Sequence, residues 1–301
     1  MSISVTNLSK NFGAQKAVND ISFKIDKNEI VGFLGPNGAG KSTTMKMITG
    51  FLKPDMGSIE VCGISVQNQP TETQRKIGYL PESNALYSDM YVKEYLSFVG
   101  SVYKIDNLQS SVNDVVELVG LTKEAHKKIG QLSKGYKQRV GIAASLVHNP
   151  EVLILDEPTS GLDPNQIIEI RDIIKRLAEN KTVIFSSHIM QDVEAICERV
   201  IIINKGQIVA DDQLINLKNK TNQNQMVAVE FKEKIVLNLF SEIKDCISIK
   251  EISQNKFNFE TINPASIRKQ IMELCLSNNL NIVSLNSESH NLESVFKSLT
   301  L

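Results

Sequence analysis

A surplus of basic charge, paired cysteines, long apolar runs and, in its last third, glycine are what this 301-residue sequence lacks. Lys and Arg total 33 against 34 Asp and Glu, a net charge of −1. That balance excludes a bulk electrostatic footprint for duplex nucleic acid or an anionic membrane. The longest uninterrupted apolar runs, such as 152–155 and 200–203, fall far short of the roughly 20 residues that span a bilayer. Residues 1–8 alternate apolar and polar like a strand, with no basic segment followed by an apolar one. No secretion leader is expected from this pattern, and the cytoplasm is the expected compartment. Cys62, Cys197, Cys246 and Cys275 stand apart from one another, which excludes a disulfide framework and a cysteine metal site; all four are expected as buried thiols.

What is present is an ordinary globular composition, 42% apolar and 22% charged, enough to build a sizeable core. All 16 glycines lie at or before Gly206, and this change of regime points to two domains. Residues 218–225 are polar throughout, without an apolar period, and read as a linker or exposed loop. The expected division is therefore 1–218 and 219–301. In the first part, short apolar strands at 29–34, 152–155 and 182–185 alternate with longer helical patterns, which predicts an α/β fold around a mostly parallel sheet. In the second, 226–231 and 256–261 read as strands, 264–279 as a helix with proline in its first turn, and 282–285 as a further strand. The order strand, helix, strand, strand, helix, strand is compatible with a small ferredoxin-like α+β unit. Residues 292–296 place apolar side chains three and four apart, enough for a short docking helix. His290 and Cys275 read as surface or core positions without chemistry.

Gly35-Pro36-Asn37-Gly38-Ala39-Gly40-Lys41-Ser42-Thr43 follows an apolar strand at 30–34 and precedes a helical run at 43–48. That is the strand, loop and helix setting of a P-loop. Its glycines let the backbone wrap phosphate oxygens and aim N–H groups inward at the positive end of a helix. Lys41 adds a cation for the β and γ phosphates, and Ser42 a hydroxyl for Mg²⁺. Nucleoside triphosphate binding is the prediction. Further on, the apolar run 152–155 leads into Asp156 and Glu157, placing two carboxylates at the carboxyl end of a buried strand, where open parallel sheets bind ligands. Asp156 is suited to hold Mg²⁺ through its water shell. Glu157 is suited to orient and deprotonate the water that attacks the γ-phosphate.

Leu132-Ser133-Lys134-Gly135-Tyr136-Lys137-Gln138-Arg139 resembles the signature of ATP-binding cassette (ABC) proteins. With Ser160-Gly161-Leu162-Asp163 and Ser187-His188 it completes that family's motif set in order, over residues ~1–215. The resemblance implies an ABC-type nucleotide-binding domain with a helical subdomain, ATP and Mg²⁺ as cofactors, and ATP hydrolysis coupled to transport. It implies that Phe12 stacks on adenine, and that Ser133, Lys134 and Gly135 contact ATP held by a second subunit. Asp163 would belong to the loop crossing the dimer interface, and His188 would bond the γ-phosphate and help hold the attacking water. Taken alone, Phe12 reads as a core aromatic, Ser133 as a helix N-cap, and Asp163 as a helix N-terminal acid before Pro164. Two departures from the family pattern stand out. Glu82, in Gly78-Tyr79-Leu80-Pro81-Glu82, replaces the usual Gln; it accepts from a metal-bound water but does not donate as an amide does. Lys134 and Tyr136 occupy signature positions where Gly and Gln are commonest. These forms resemble a bacterial exporter subgroup, and within it the Asn-, Lys- and Ile-rich chain resembles the gliding-motility-associated ATP-binding subunit.

One cradle and one signature per chain imply two copies arranged head to tail, giving two complete sites. The absence of a spanning run implies a separately encoded integral membrane permease as partner, gripped by a helical surface within residues 86–140. The chain would then be peripheral on the inner face of the plasma membrane, with no nucleic-acid partner. Two other functions share these motifs: a soluble ABC ATPase acting on nucleic acid or ribosomes, and a nucleotide-gated regulatory module without turnover. The first usually needs a second cassette or a coiled-coil insertion, which is not seen; intact Glu157 and His188 argue against the second.

Overall fold

The computed structural model describes residues 1–221, 225–288 and 296. His290 and, apart from Phe296, the expected helix at 292–296 lie outside them. The chain divides into two compact units, Met1–Asp212 and one beginning at Gln213, several residues before the boundary expected from composition.

In chain order the first unit runs β1 (Ile3–Phe12), β2 (Gln15–Ile25), β3 (Ile30–Leu34), α1 (Lys41–Ile48), β4 (Met56–Val61), β5 (Ile64–Ser65), α2 (Pro70–Lys76), β6 (Ile77–Leu80), α3 (Val92–Val102) and α4 (Leu108–Leu118). It continues with α5 (Lys134–Leu146), β7 (Val152–Asp156), α6 (Pro164–Ala178), β8 (Thr182–Ser187), α7 (Met190–Ile196), β9 (Arg199–Asn204) and β10 (Gln207–Gln213). Two sheets result: an antiparallel layer in the order β2-β1-β4-β5, and a six-stranded sheet in the order β10-β9-β3-β8-β7-β6. From β9 through β6 the neighbours of the second sheet are parallel. Every residue of β7 and of β8 is buried, as continuous apolar runs require when both faces of a parallel sheet are covered. One core joins Ile3, Val5 and Phe23 of the antiparallel layer, Met45 and Ile48 of α1, and Phe33, Ile154 and Ile184 of the parallel sheet. The consequence for function is topological: β3, β6, β7 and β8 are parallel, so the residues following each of them meet at one edge.

The second unit comprises α8 (Leu214–Thr221), β11 (Gln225–Phe231), β12 (Cys246–Ser253), β13 (Lys256–Thr261), α9 (Pro264–Asn278) and β14 (Ile282–Glu288). The helix α8 carries through Thr221, so residues 218–221 of the polar run are helical, where a linker or exposed loop is expected, and 222–224 lie outside the described residues. Leu214 and Leu217, three apart and buried, give the helix a packed first turn, and propagation from a formed turn needs no further apolar residue. The sheet order is β12-β13-β11-β14 with antiparallel neighbours, a ferredoxin-like arrangement. Its expected first helix is reduced to a 3₁₀ turn, Leu237–Phe240. Phe240 fills the space that a helix would cover, with ring centroids 4.8 Å from Phe257 and 5.0 Å from Phe259. Asn263 caps α9 by accepting from Ser266 N at 3.2 Å, Pro264 stands in its first turn, and Asn279 closes it in the left-handed region at φ 54°.

The cysteines depart in part from expectation. Cys197 and Cys275 are buried, but Cys62 and Cys246 are only half-buried, Cys62 because it lies in the tight connection between β4 and β5. Burial pushes all four thiols above their usual range, which leaves none of them a ready nucleophile. Among the described residues no helix is long and apolar enough to cross a membrane.

Candidate active site

The loop after β3 has a conformation that its sequence dictates. Gly40 adopts φ +110°, and a Cβ there would stand 2.5 Å from the carbonyl oxygen of Ala17; one on Gly35 would stand 2.4 Å from that of Ile203. Only glycine fits at either position. Pro36 O accepts from Ala39 N at 3.1 Å, and Ala39 O accepts from Gly206 N at 2.9 Å, so the loop is held from both sides. Lys41, 6% exposed, folds back to donate to Gly35 O at 2.8 Å and Pro36 O at 3.3 Å. The loop opens on a cavity of about 400 Å³ lined by Asn37, Gly38, Gly40, Lys41, Ser42 and Thr43, with Phe12, Glu82 and Glu157 on its other sides. Phe12 is 52% exposed, so it is not a core aromatic. Lys10, itself fixed by Asp55 at 2.7 Å, stands 5.8 Å from its ring centroid. Gly35, Pro36 and Ala39, expected among the ATP-binding residues, are not among those lining the cavity.

At the end of β7, Asp156 is almost fully buried and its Oδ1 accepts from Ser186 Oγ at 2.5 Å. The same hydroxyl accepts from Glu157 N at 2.9 Å. Glu157 turns the chain out of the strand at φ +50°, a left-handed conformation uncommon for a side chain of its size and concentrated at functional sites. Its carboxylate joins two motifs: Oε2 lies 2.8 Å from His188 Nδ1 and Oε1 lies 3.4 Å from Lys41 Nζ. A buried carboxylate between a lysine and an imidazole, beside a glycine-rich loop, has the geometry that general-base chemistry requires. Behind it, burial pushes the Tyr79 phenol up, and the negative charges of Asp156 and Glu82 add to the effect.

The signature motif lies elsewhere on the unit. Ser133 caps α5, its Oγ accepting from Tyr136 N at 3.4 Å. Gly135 sits against Gln166, where a Cβ would come within 2.5 Å of that side chain. Arg139 pairs with Glu169, donates to Val119 O at 3.0 Å and lies 5.5 Å from the Tyr136 ring centroid. Asp163 caps α6 by accepting from Gln166 N at 3.0 Å. Ser133, Lys134, Gly135 and Asp163 do not line the cavity that holds Lys41 and Glu157. Gln138 donates to the carbonyl oxygen of Pro158, the residue after Glu157, at 2.9 Å.

Several site residues escaped the sequence reading. Ser186, which bonds both Asp156 and the Glu157 backbone, was signalled only by the polar pair Ser186-Ser187 inside an otherwise apolar strand. Thr159 and Asp192, 1% and 0% exposed, gave no signal, since a threonine in a loop and an aspartate on a helix are ordinarily wet. A larger groove of about 540 Å³ lies away from the loop, lined by Phe51, Tyr79, Tyr95, Val99, Val102 and Tyr103 among others.

The ABC transporter family model matches residues 18–160. The chain is 36% identical to the uncharacterized ABC transporter ATP-binding protein YxlF of Bacillus subtilis, over 98% of each chain. It is 33% identical to the linearmycin resistance ATP-binding protein LnrL of the same organism, over 98% of this chain and 96% of that protein. The solved dimeric structure of a post-hydrolysis state of the ATP-binding cassette MJ0796, bound to ADP and Pi, superimposes with a TM-score of 0.65 and 26% identity. That match covers 70% of this chain and 98% of the other. The chain belongs to the ABC transporter family, as an ATP-binding subunit with ATPase activity.

Proposed function

We propose that this subunit hydrolyses MgATP in the cavity between Phe12, the loop 35–43 and Glu157, and thereby drives a separately encoded membrane permease as an exporter. The observation that carries the site assignment is the Glu157 carboxylate held between His188 Nδ1 and Lys41 Nζ beside the phosphate-binding loop. Phe12 offers its exposed face to the adenine. The loop amides and Lys41 hold the phosphates, Glu157 takes the proton of the attacking water, and His188 fixes the base and reaches the γ-phosphate.

The donors near the loop suit Mg²⁺. Ser42 and Glu82 line the cavity, and buried Asp156 directly precedes Glu157, which also lines it; all three are hard oxygen ligands. Among the described residues no group of three or more His, Cys, Asp or Glu forms a resident metal site. That fits an ion that arrives with the phosphates and keeps most of its waters. Bound there, Mg²⁺ would neutralise charge on the β and γ oxygens.

Because the signature and Asp163 lie apart from the cavity, a complete site takes those residues from a second subunit, most simply another copy of this chain in a two-fold pair. The groove of about 540 Å³ is the docking surface for the permease. Its exposed Phe51 and Val102, 77% and 67% accessible, are apolar side chains that a partner segment would cover. The name of the linearmycin resistance relative supports export as the direction of transport. A role in gliding motility is the narrower form of the proposal, carried only by the resemblance of the Asn-, Lys- and Ile-rich chain to that ATP-binding subunit.

Glu157→Gln tests the mechanism: turnover falls by about two or more orders of magnitude while ATP binding persists. Full turnover in that variant would overturn the assignment of the base. For the physiological role, deletion of the gene is expected to abolish colony spreading. Normal spreading together with hypersensitivity to an exported compound would remove the motility form and leave the exporter.

A further inference from the structure

Asp192 lies on α7, four residues after His188, and is fully buried. A carboxylate withdrawn from water persists only with charged and hydrogen-bonding partners. Both of its oxygens have them. Arg171, on α6, donates to Oδ1 through Nε at 3.0 Å and again through its terminal nitrogen. Thr159 donates its hydroxyl to Oδ2. Thr159 is the second residue after Glu157, and its carbonyl accepts from Leu162 N at 3.3 Å in the loop that ends at Asp163. One carboxylate therefore joins three pieces: the loop between Glu157 and Asp163, the helix that Asp163 caps, and the helix that follows His188.

This arrangement bears on the reacting groups through the backbone. His188 enters α7 through Ile189, so the placement of α7 sets where the imidazole stands. Glu157 leaves β7 two residues before Thr159, so the Thr159 anchor sets the exit of the loop. His188 Nδ1 and Glu157 Oε2, 31 positions apart in sequence, meet at 2.8 Å. We infer that Asp192 is a positioning residue for ATP hydrolysis. It locks α7 to the loop after Glu157, keeping His188 within reach of the base and Asp163 in the pose that a second subunit meets. Only a carboxylate serves, because it accepts from the guanidinium and the hydroxyl together, whereas an amide offers a single acceptor oxygen and turns an N–H₂ toward one of the two donors. The inference rests on the roles of Glu157 and His188 proposed above.

The experiment measures MgATP hydrolysis, ATP affinity and thermal melting for Asp192→Asn, Asp192→Glu and Thr159→Val, with Glu157→Gln as reference. In Asp192→Asn kcat is expected to fall about tenfold or more, with ATP affinity held within about twofold. Asp192→Glu recovers part of the lost turnover. Thr159→Val, which keeps the Arg171–Asp192 pair and the volume of the side chain, lowers kcat severalfold without a matching loss of affinity. A folded Asp192→Asn protein at full kcat overturns the inference, and so does a parallel fall of kcat and affinity, which marks a structural role alone. If Asp192→Asn does not fold, Thr159→Val decides, and an unchanged kcat there overturns it. An inactive Glu157→Gln beside a fully active Asp192→Asn removes this inference only; an active Glu157→Gln removes the site assignment beneath it.

Discussion

Lys41 Nζ lies 3.4 Å from Glu157 Oε1, with each side chain only 6% exposed. The cation that would hold the phosphates is thus already engaged by the carboxylate that would activate water. A triphosphate entering the loop competes with Glu157 for that ammonium. Removing the charge of Glu157 should therefore tighten nucleotide binding as well as stop turnover. Glu157→Gln is expected to bind ATP more tightly than the unsubstituted protein by about 1 kcal/mol, and Lys41→Ala to bind it more weakly by about 2 kcal/mol. Equilibrium titration without hydrolysis measures both, and an unchanged affinity in Glu157→Gln would rule out the competition.

Phe12 contributes an exposed face beside the cavity. Its replacement by alanine should weaken ATP binding by about 1–3 kcal/mol, the usual worth of a base stacked on an aromatic ring. Phe12→Tyr should keep most of the affinity. Equal weakening by the two substitutions would mean that the ring supports the strand rather than the base.

His148 supplies a pH dependence distant from the chemistry. Its Nε2 lies 3.0 Å from Ile77 O and its ring stacks on Tyr103 with centroids 3.8 Å apart. Burial holds the imidazole below its usual value of 6.5; nearby Lys181 lowers it too, and the bond to Ile77 opposes the shift. As pH falls through that value the unfolded chain takes up the proton before the folded one does, so stability is full above about 6.5 and declines below it. His148→Phe keeps the stacking and removes this acid loss, while the unpaired Ile77 carbonyl costs about 1 kcal/mol at neutral pH. Melting temperatures at about pH 7.5 and about pH 5.5 decide the matter: the drop should be larger in the unsubstituted protein.

Phe240 is the central ring of the second unit's core, packed on Phe231, Phe257 and Phe259. Phe240→Ala should cost that unit about 3–5 kcal/mol. ATP binding by the first unit should persist in the same protein. Nucleotide titration alongside thermal melting checks this, and joint loss of both would show that the units do not fold separately.

How much of this was legible in the sequence follows from how local each constraint is. The loop from Gly35 to Thr43 could be read directly because glycine spacing, a preceding apolar strand and a following helix all fall within a short stretch. Asp156 and Glu157 were legible for the same reason, at the end of an apolar run. The approach of His188 to Glu157 was reached only through the family resemblance, since strand order brings them together and no local pattern encodes it. Asp192 was invisible: it shares α7 with the buried Met190, Val193 and Ile196, and nothing in a helical period tells a buried, paired acid from a wet one. The helix at Leu214–Thr221 was not read from the sequence because its buried leucines precede the polar run. The missing first helix of the second unit was misjudged because a short apolar stretch is ambiguous between turn, strand and helix.

The lack of glycine after Gly206 returns in the closing of α9. At φ 54° Asn279 occupies a position that glycine most often fills, and an L-residue pays for that geometry with steric strain. Asn279→Gly is therefore expected to leave the fold of the second unit unchanged and its melting temperature equal or slightly higher.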